Sequence, residues 1–410
     1  MTQTGPFNPQ TARRHRVGRV WSALFLGAII IAIIALGALL YNIIDESFGL
    51  AAIENRVDPD SLAIEGVPLE DLSKEQLTEI LAAHVSAGLL RRFENDQPFA
   101  ERDRASVYAL VLERVVEPQI QATWSLTDSL FRREQVLTEA AEKYPQAKVE
   151  FRSWLTPTFL RMPQSSKPEL AGVRTAVLGS LWTIFITIAL AFPIGVGAAI
   201  YLEEYAADNL VNRIIQTNIN NLAGVPSIIY GMLGLAIFVR GLEPLTSGAM
   251  LGVVDATTAN GRTVLSAGLT LALLILPLLI INAQEAIKAV SNSLREASYG
   301  LGATRWQTIW YHVLPNALPG ILTGTILAIS RAIGETAPLV VVGASAFVAL
   351  DPSGPFSKFT TLPIQIYQWT TRPQDQYRSL AAAAILVLLV LLLSLNATAV
   401  LLRNRYSRSV

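Results

Sequence analysis

The 410 residues include no cysteine, which excludes disulfides and thiolate metal sites. Histidine is scarce as well, at three residues, and His15 and His84 have no partners at metal-ligand spacing, so a metal-dependent membrane enzyme would lack its ligands. No G-x-x-x-x-G-K-[ST] loop is present to cradle a nucleotide phosphate, so the chain alone is not an ATPase. Charge is sparse and balanced. Asp, Glu, Lys and Arg make up 16% of the chain, against roughly 25% in soluble domains. The 32 basic and 32 acidic residues cancel, which removes net charge as a reason to bind nucleic acid. What the chain does have is apolar side chains, 51% of it, with a mean hydropathy of +0.41. That is the composition of an integral membrane protein.

A bilayer core about 30 Å thick needs roughly 20 apolar residues in a helix. Five charge-free runs satisfy this: Val20–Ile44, Thr175–Leu202, Ile214–Val239, Thr263–Gln284 and Ser379–Leu402. A sixth, about Ala317–Leu350, is interrupted only by Arg331 and Glu335. Six helical spans are expected. The first follows a basic cluster (Arg13, Arg14, Arg16, Arg19), but its run is too long for a cleavable signal core and reads as an uncleaved anchor. Arg403, Arg405 and Arg408 make the other tail basic too, so both termini should be cytoplasmic in a multi-pass cell (inner) membrane protein. The expected organisation is a tail at 1–19, a first span at 20–44, an outward insertion at 45–168, a membrane core at 169–402 and a tail at 403–410. Residues 285–316 then form a cytoplasmic loop.

Between Asp45 and Pro168 there are 21 acidic and 14 basic residues, a net of −7, which leaves +7 on the remainder. Ser73 is a candidate N-cap for a helix over Lys74–Arg92, with Leu77, Ile80, Leu81 and Val85 on one face. Asp128 or Ser129 would cap a second over Leu130–Lys143, and Pro145, Pro157, Pro163 and Pro168 punctuate the return to the membrane. The insertion reads as a helical cap; a ligand-sensing domain is the alternative.

The loop EAIKAVSNSLREASYGLGATRWQTIWYHVLPNALP (285–319) reads as helix, glycine break, helix, proline stop. Ser291 or Ser293 could cap the first helix, and Gly300 and Gly302 end it. Thr304 could cap the second, whose Trp306, Ile309, Trp310 and Val313 share a face before Pro315. The order Glu296-Ala297-Ser298, three residues, Gly302, then Leu314-Pro315 resembles the "EAA" loop of ABC importer permeases, with Ser298 in place of the third alanine and His312 in place of an isoleucine. The resemblance implies a coupling helix that docks on a separate ATPase, with Glu296, Ala297 and Gly302 as its contacts.

Three further stretches narrow the family: RAIGETAPL at Arg331–Leu339, NLAGVPSIIYGMLGL at Asn221–Leu235 and YLEEYA at 201–206. With LREASYGLGATRWQTIW at 294–310 they resemble PstA-type permeases of the high-affinity phosphate ABC importer, over about 170–402. The family match does not account for the 45–168 insertion. Physics singles out Arg331 and Glu335, because ionisable residues within a span are costly and four residues apart on a helix can pair. The arginine fork matches phosphate oxygens, and an acceptor at Glu335 would favour protonated phosphate over sulfate. Two other readings stand beside these: Pro193, Pro226, Pro277 and Pro319 as kinks or pathway elements, and Asn218, Asn220 and Asn221 as interhelical hydrogen-bond donors. Gly224, Gly231 and Gly234 read as close-packing positions.

The expectation is therefore an all-α integral membrane protein with six transmembrane helices in the type I ABC importer permease fold, carrying a helical extracytoplasmic insertion between helices 1 and 2. It would be a permease subunit and not an enzyme. The resemblance implies a second, PstC-like permease, two PstB-like ATPase subunits that hold ATP and Mg, and a PstS-like phosphate-binding protein outside. Lipid is the solvent, and no cofactor or nucleic acid is expected on this chain. The alternatives are a permease for sulfate or molybdate and a membrane sensor built on 45–168.

Overall fold

The computed structural model describes residues 11–407, apart from 65, 97, 101, 166, 254–259, 345–347 and 349–350. The first ten tail residues, Arg408 and the Leu350 end of the sixth apolar run lie outside the described residues. Among the described residues, five helices are long and apolar enough to cross a membrane, and a bent pair brings the number to six if it counts as one span.

In chain order, α1 spans Thr11–Ser47. Helix α2 spans Arg174–Ile200 and runs into a π-helical turn, Tyr201–Tyr205. The bent pair is α3, Leu210–Ala223, and α4, Ser227–Gly234. Then come α5, Val264–Lys288, the short α6, Asn292–Gly300, and the long α7, Arg305–Gly334. Two short helices, α8 (Ala337–Val342) and α9 (Leu362–Thr370), precede α10, Asp375–Ser407. Helix α5 is the central post, packed against α2, α7, α4 and α3, with Leu271, Ile275, Leu279 and Ile287 almost fully buried. Its N-cap is Thr263, whose hydroxyl accepts from the Ser266 amide. Helices α1 and α10 pack together on the periphery, and the apolar run of α1 is exposed as lipid contact requires.

Two of the expected spans are interrupted. The run 214–239 bends by 107° between α3 and α4, at Gly224-Val225-Pro226. Proline disfavours helical backbone at the residue before it and brings no N–H of its own, so the ladder ends there. Tyr230 spans the bend, its hydroxyl donating to the Leu222 carbonyl at 2.7 Å.

At the other interruption, the expected stop at Pro315 does not occur, and α7 runs unbroken through it. A π-helical turn at Ile309–Val313, closed by the Leu314 amide on the Ile309 carbonyl, widens the helix just before the proline ring. The break comes later, at Glu335-Thr336, where Glu335 has extended backbone and α8 starts with Pro338 in its first turn.

The insertion is not purely helical. A three-stranded antiparallel sheet runs through it in the order β2-β1-β3, with β1 at Phe48–Asn55, β2 at Pro118–Thr123 and β3 at Lys148–Ser153. Strand β1 continues directly from α1 and is paired on both edges; Leu50, Ala51 and Ala52 are all buried, so both faces are covered there and the polar–apolar alternation that marks a half-exposed strand is missing. The helix expected over Lys74–Arg92 is two, Lys74–His84 and Ala87–Asp96, the first closed by a Ser73–Gln76 capping box. The one expected over Leu130–Lys143 is also two, Leu126–Phe131 and Arg133–Lys143, and Ser125 rather than Asp128 or Ser129 is the cap. Leu77, Ile80 and Leu81 pack with Leu72, Val107 and Val111 in a core of the insertion's own. A second cluster ties the sheet to the membrane part, joining Ala51, Ile120, Trp154 and Phe159 to Val173 at the start of α2 and to Trp369 and Leu380.

Candidate functional site

The structure brings the chemistry-bearing residues together in two places. The first is the contact of α4 with α8, where the two interrupted spans meet. Gly231 faces Pro338 so closely that a Cβ would lie 2.6 Å from the proline Cα and 2.9 Å from its carbonyl oxygen. Gly234 is closed off in the same way by Thr270 of α5, at 2.1 Å, whereas Gly224 meets only the carbonyl of its own turn at 3.5 Å. Packing is thus the role of Gly231 and Gly234. Gly231→Ala should destabilise the membrane part by about 1–3 kcal/mol, because the obstacle is backbone. The check is the unfolding midpoint of the purified protein, with Gly224→Ala expected to leave it unchanged.

At this junction Arg331, in the last turn of α7, donates from Nε to Glu335 Oε1 at 3.4 Å. The pair forms although Glu335 has already left the helix, so a single straight helix face is not what joins them. The side chains keep 39% and 17% of their exposure, so this chain alone does not seal the pair in. An arginine whose Nη groups make no hydrogen bond among the described residues, beside a carboxylate and at a break in two helices, can hold an oxyanion without burying it irretrievably.

The second place is the 285–319 loop. Glu296 and Ala297 on α6 and Gly302 beyond it are all exposed. Gly302 has φ +85° in open space, the left-handed conformation that turns the chain from α6 to α7. The helix ends at Gly300 as expected, with Leu301 as its cap. Both departures from the family pattern are explained. Buried Ser298 shares a 2.9 Å hydrogen bond with Thr308, tying α6 to α7, and His312 points outward, where no apolar packing is lost. Thr304 caps α7 through a capping box with Gln307, whereas Ser291 makes no cap hydrogen bond. The expected apolar stripe splits, because the π turn rotates the helix. Ile309 and Val313 are buried, while Trp306 and Trp310 stack on each other at 5.4 Å, half exposed. An open hollow of about 600 Å³ beside α6 is lined by Ala289, Val290, Ser293, Leu294 and Ala297 among others.

Sequence reasoning missed the pair that holds α6 in place. Arg295 donates from Nε and Nη2 to Glu204 Oε1, at 3.1 and 2.8 Å, from side chains only 13% and 8% exposed. Its remaining donors reach the Val290 carbonyl at 2.6 Å and the Ile287 carbonyl at 2.9 Å. Both residues lie in stretches whose family resemblance was noted, and opposite charges flanking two apolar runs were the available signal. The interhelical amides were misassigned too. Asn218 and Asn220 bond within α3, and it is Gln216 that exchanges two hydrogen bonds with Gln284 of α5, at 2.9 and 3.2 Å.

Residues 191–408, more than half of the chain, match the family of binding-protein-dependent transport system inner membrane components. The chain belongs to that family. Among relatives, this transport-system component is 33% identical over 218 residues to the probable ABC transporter permease protein YqgI of Bacillus subtilis, covering 53% of this chain and 68% of that one. It is 33% identical over 233 residues to the phosphate transport system permease protein PstA 1 of Mycobacterium tuberculosis, covering 57% and 70%. A crystal structure of a bacterial ABC transporter involved in import of the polysaccharide alginate aligns over 73% of this chain and 96% of its own, at 16% identity and a TM-score of 0.44. The family match covers both the α4–α8 junction and the α6 loop. The insertion lies outside it.

Proposed function

We propose that the chain is the permease subunit of an ATP-driven inorganic phosphate importer, with the α4–α8 junction as part of the anion's path. The observation that carries this reading is the Arg331–Glu335 pair at the meeting point of two interrupted spans. The names of its relatives supply the anion, since several are phosphate transport permeases, among them PstA 1. Arg331 would lower the barrier for phosphate, and Glu335 would accept a hydrogen bond from its protonated form and ease release.

ATP and Mg would be bound by two PstB-like ATPase subunits, which the α6 loop would contact through Glu296, Ala297 and Gly302. A PstC-like permease would complete the pathway, and a PstS-like binding protein would deliver phosphate from outside. The arginines in the first turns of α1 and at Arg403 and Arg405 favour cytoplasmic termini and a cytoplasmic α6. Residues 45–168 would then form an extracytoplasmic insertion on a 169–402 core. The absence from its sequence of a polar or aromatic cluster that would mark a ligand pocket favours a structural cap over a sensor.

The test is uptake of labelled phosphate at low micromolar concentration by cells with and without the chain, with unlabelled sulfate and molybdate as competitors. Uptake that requires the chain and is competed only by phosphate or its close analogues is expected. Competition by sulfate or molybdate would reassign the substrate, and uptake independent of the chain would overturn the reading.

A further inference from the structure

Helix α6 has nine residues, too few to hold a helix in place without tertiary anchors, and its first turn lacks a side-chain cap. Its anchors are therefore specific. Ser298 ties it forward to Thr308, and Arg295 ties it back. The backward tie joins three elements at once. One guanidinium binds the π-helical turn that ends α2, through Glu204, and closes the carbonyls of Ile287 and Val290 at the end of α5. Ile287 lies in the last turn of α5, whose carbonyls lack an i+4 partner within the helix, and Val290 lies two residues past its end.

We infer that the Arg295–Glu204 pair is a positioning pair that transmits displacement of α6 to α2, and that it sets the tightness of coupling between ATP hydrolysis and transport. The inference rests on the proposal that α6 docks on the ATPase. Three features carry it. The exposed Glu296 is the next residue along α6, so a shift of the helix at that surface carries the Arg295 backbone with it. The pair is almost dry, at 13% and 8% exposure, so salt and water weaken it little. Two N–H groups in a planar fork fix direction as well as distance, which a sliding apolar contact does not. Helix α2 is also the helix most extensively packed on the central α5, and so it can distribute a displacement through the membrane core.

The test uses the complete transporter in proteoliposomes, measuring labelled phosphate imported per ATP hydrolysed with the binding protein present. Arg295→Gln should leave the ATPase co-purifying and hydrolysis running while phosphate moved per ATP falls about tenfold. Arg295→Lys, which keeps the charge but not the fork, should fall between. The exchange E204R/R295E should recover part of the loss, which a merely destabilised protein would not do. If Arg295→Gln does not assemble, Glu204→Gln gives the ratio instead, since its amide keeps the shape and one acceptor. A ratio within twofold of wild type in an assembled Arg295→Gln or Glu204→Gln complex overturns the inference. Glu296→Arg, measured alongside, separates the two claims. If it fails to detach the ATPase, the docking proposal falls; if it detaches the ATPase while the Arg295 ratio stays unchanged, only the positioning role falls.

Discussion

Phosphate uptake is expected to fall about thirtyfold when Arg331 is replaced by glutamine, with the transporter still assembled. Two unit charges about 4 Å apart attract by about 4 kcal/mol at an effective dielectric of about 20. Arg331 keeps 39% of its exposure, so solvent removes about half of that, and about 2 kcal/mol corresponds to some thirtyfold in rate. The variant also leaves Glu335 without its partner, a negative charge on the path of an anion. Removing that charge too, in R331Q/E335Q, should recover part of the uptake, and that non-additivity is the signature of the pair acting together. Arg331→Lys should be intermediate, since it keeps the charge and loses the fork. Glu335→Gln alone should erode discrimination between phosphate and sulfate. The measurement is initial uptake rate in proteoliposomes over a range of phosphate concentrations, with co-purification of the other subunits confirming assembly. Uptake by Arg331→Gln within threefold of wild type would remove Arg331 from the pathway.

The membrane part was readable because its signal is redundant. A charge-free run such as Thr263–Gln284 admits one structure in lipid, and the helix found, Val264–Lys288, differs from it only at its ends. Interruptions were harder to read, since Pro226 and Pro315 are the same residue type in similar surroundings with opposite outcomes. One bends a span by 107°, and the other is absorbed by a π turn that no periodicity announces. The sheet in the insertion was hidden for a different reason. Strand β1 follows a helix without a break and is buried on both faces over Leu50, Ala51 and Ala52, so these residues show no alternation.

The sites were legible as residues and illegible as contacts. Arg331 and Glu335 stood out because charge in an apolar run is costly, but the helix break that leaves them at a junction depends on how α8 packs on α4. Arg295 and Glu204 are 91 residues apart, and nothing local shows that the ends of α2 and α5 converge on the start of α6. Ser298 illustrates the converse. As a deviation from a family pattern it looks like a weakness, whereas its bond to Thr308 makes it one of the anchors of α6.

Reversing the charge at Glu296 should cost the complex its ATPase. Glu296 is exposed, carries no ion pair among the described residues and sits on a helix fixed from behind by Arg295, so its carboxylate is free to meet a partner. If that partner surface presents a cation, Glu296→Arg replaces an attraction with a like-charge contact worth several kcal/mol, enough to lower affinity by two or more orders of magnitude. Glu296→Gln removes the attraction without adding repulsion and should weaken binding by about tenfold or less. Because the charge is exposed, its contribution is screened. Raising salt from 0.1 M to 1 M shortens the Debye length from about 10 Å to about 3 Å and should narrow the gap between Glu296→Arg and wild type. Stability of the isolated chain should not move, since surface substitutions away from caps and cores stay within about 0.5 kcal/mol. Co-purification of the ATPase at the two salt concentrations, with unfolding midpoints of the chain alone, measures all three. Full retention of the ATPase by Glu296→Arg at low salt would show that α6 meets some other surface, and the exposed Trp306–Trp310 stack would become the place to look for its contact with the bilayer.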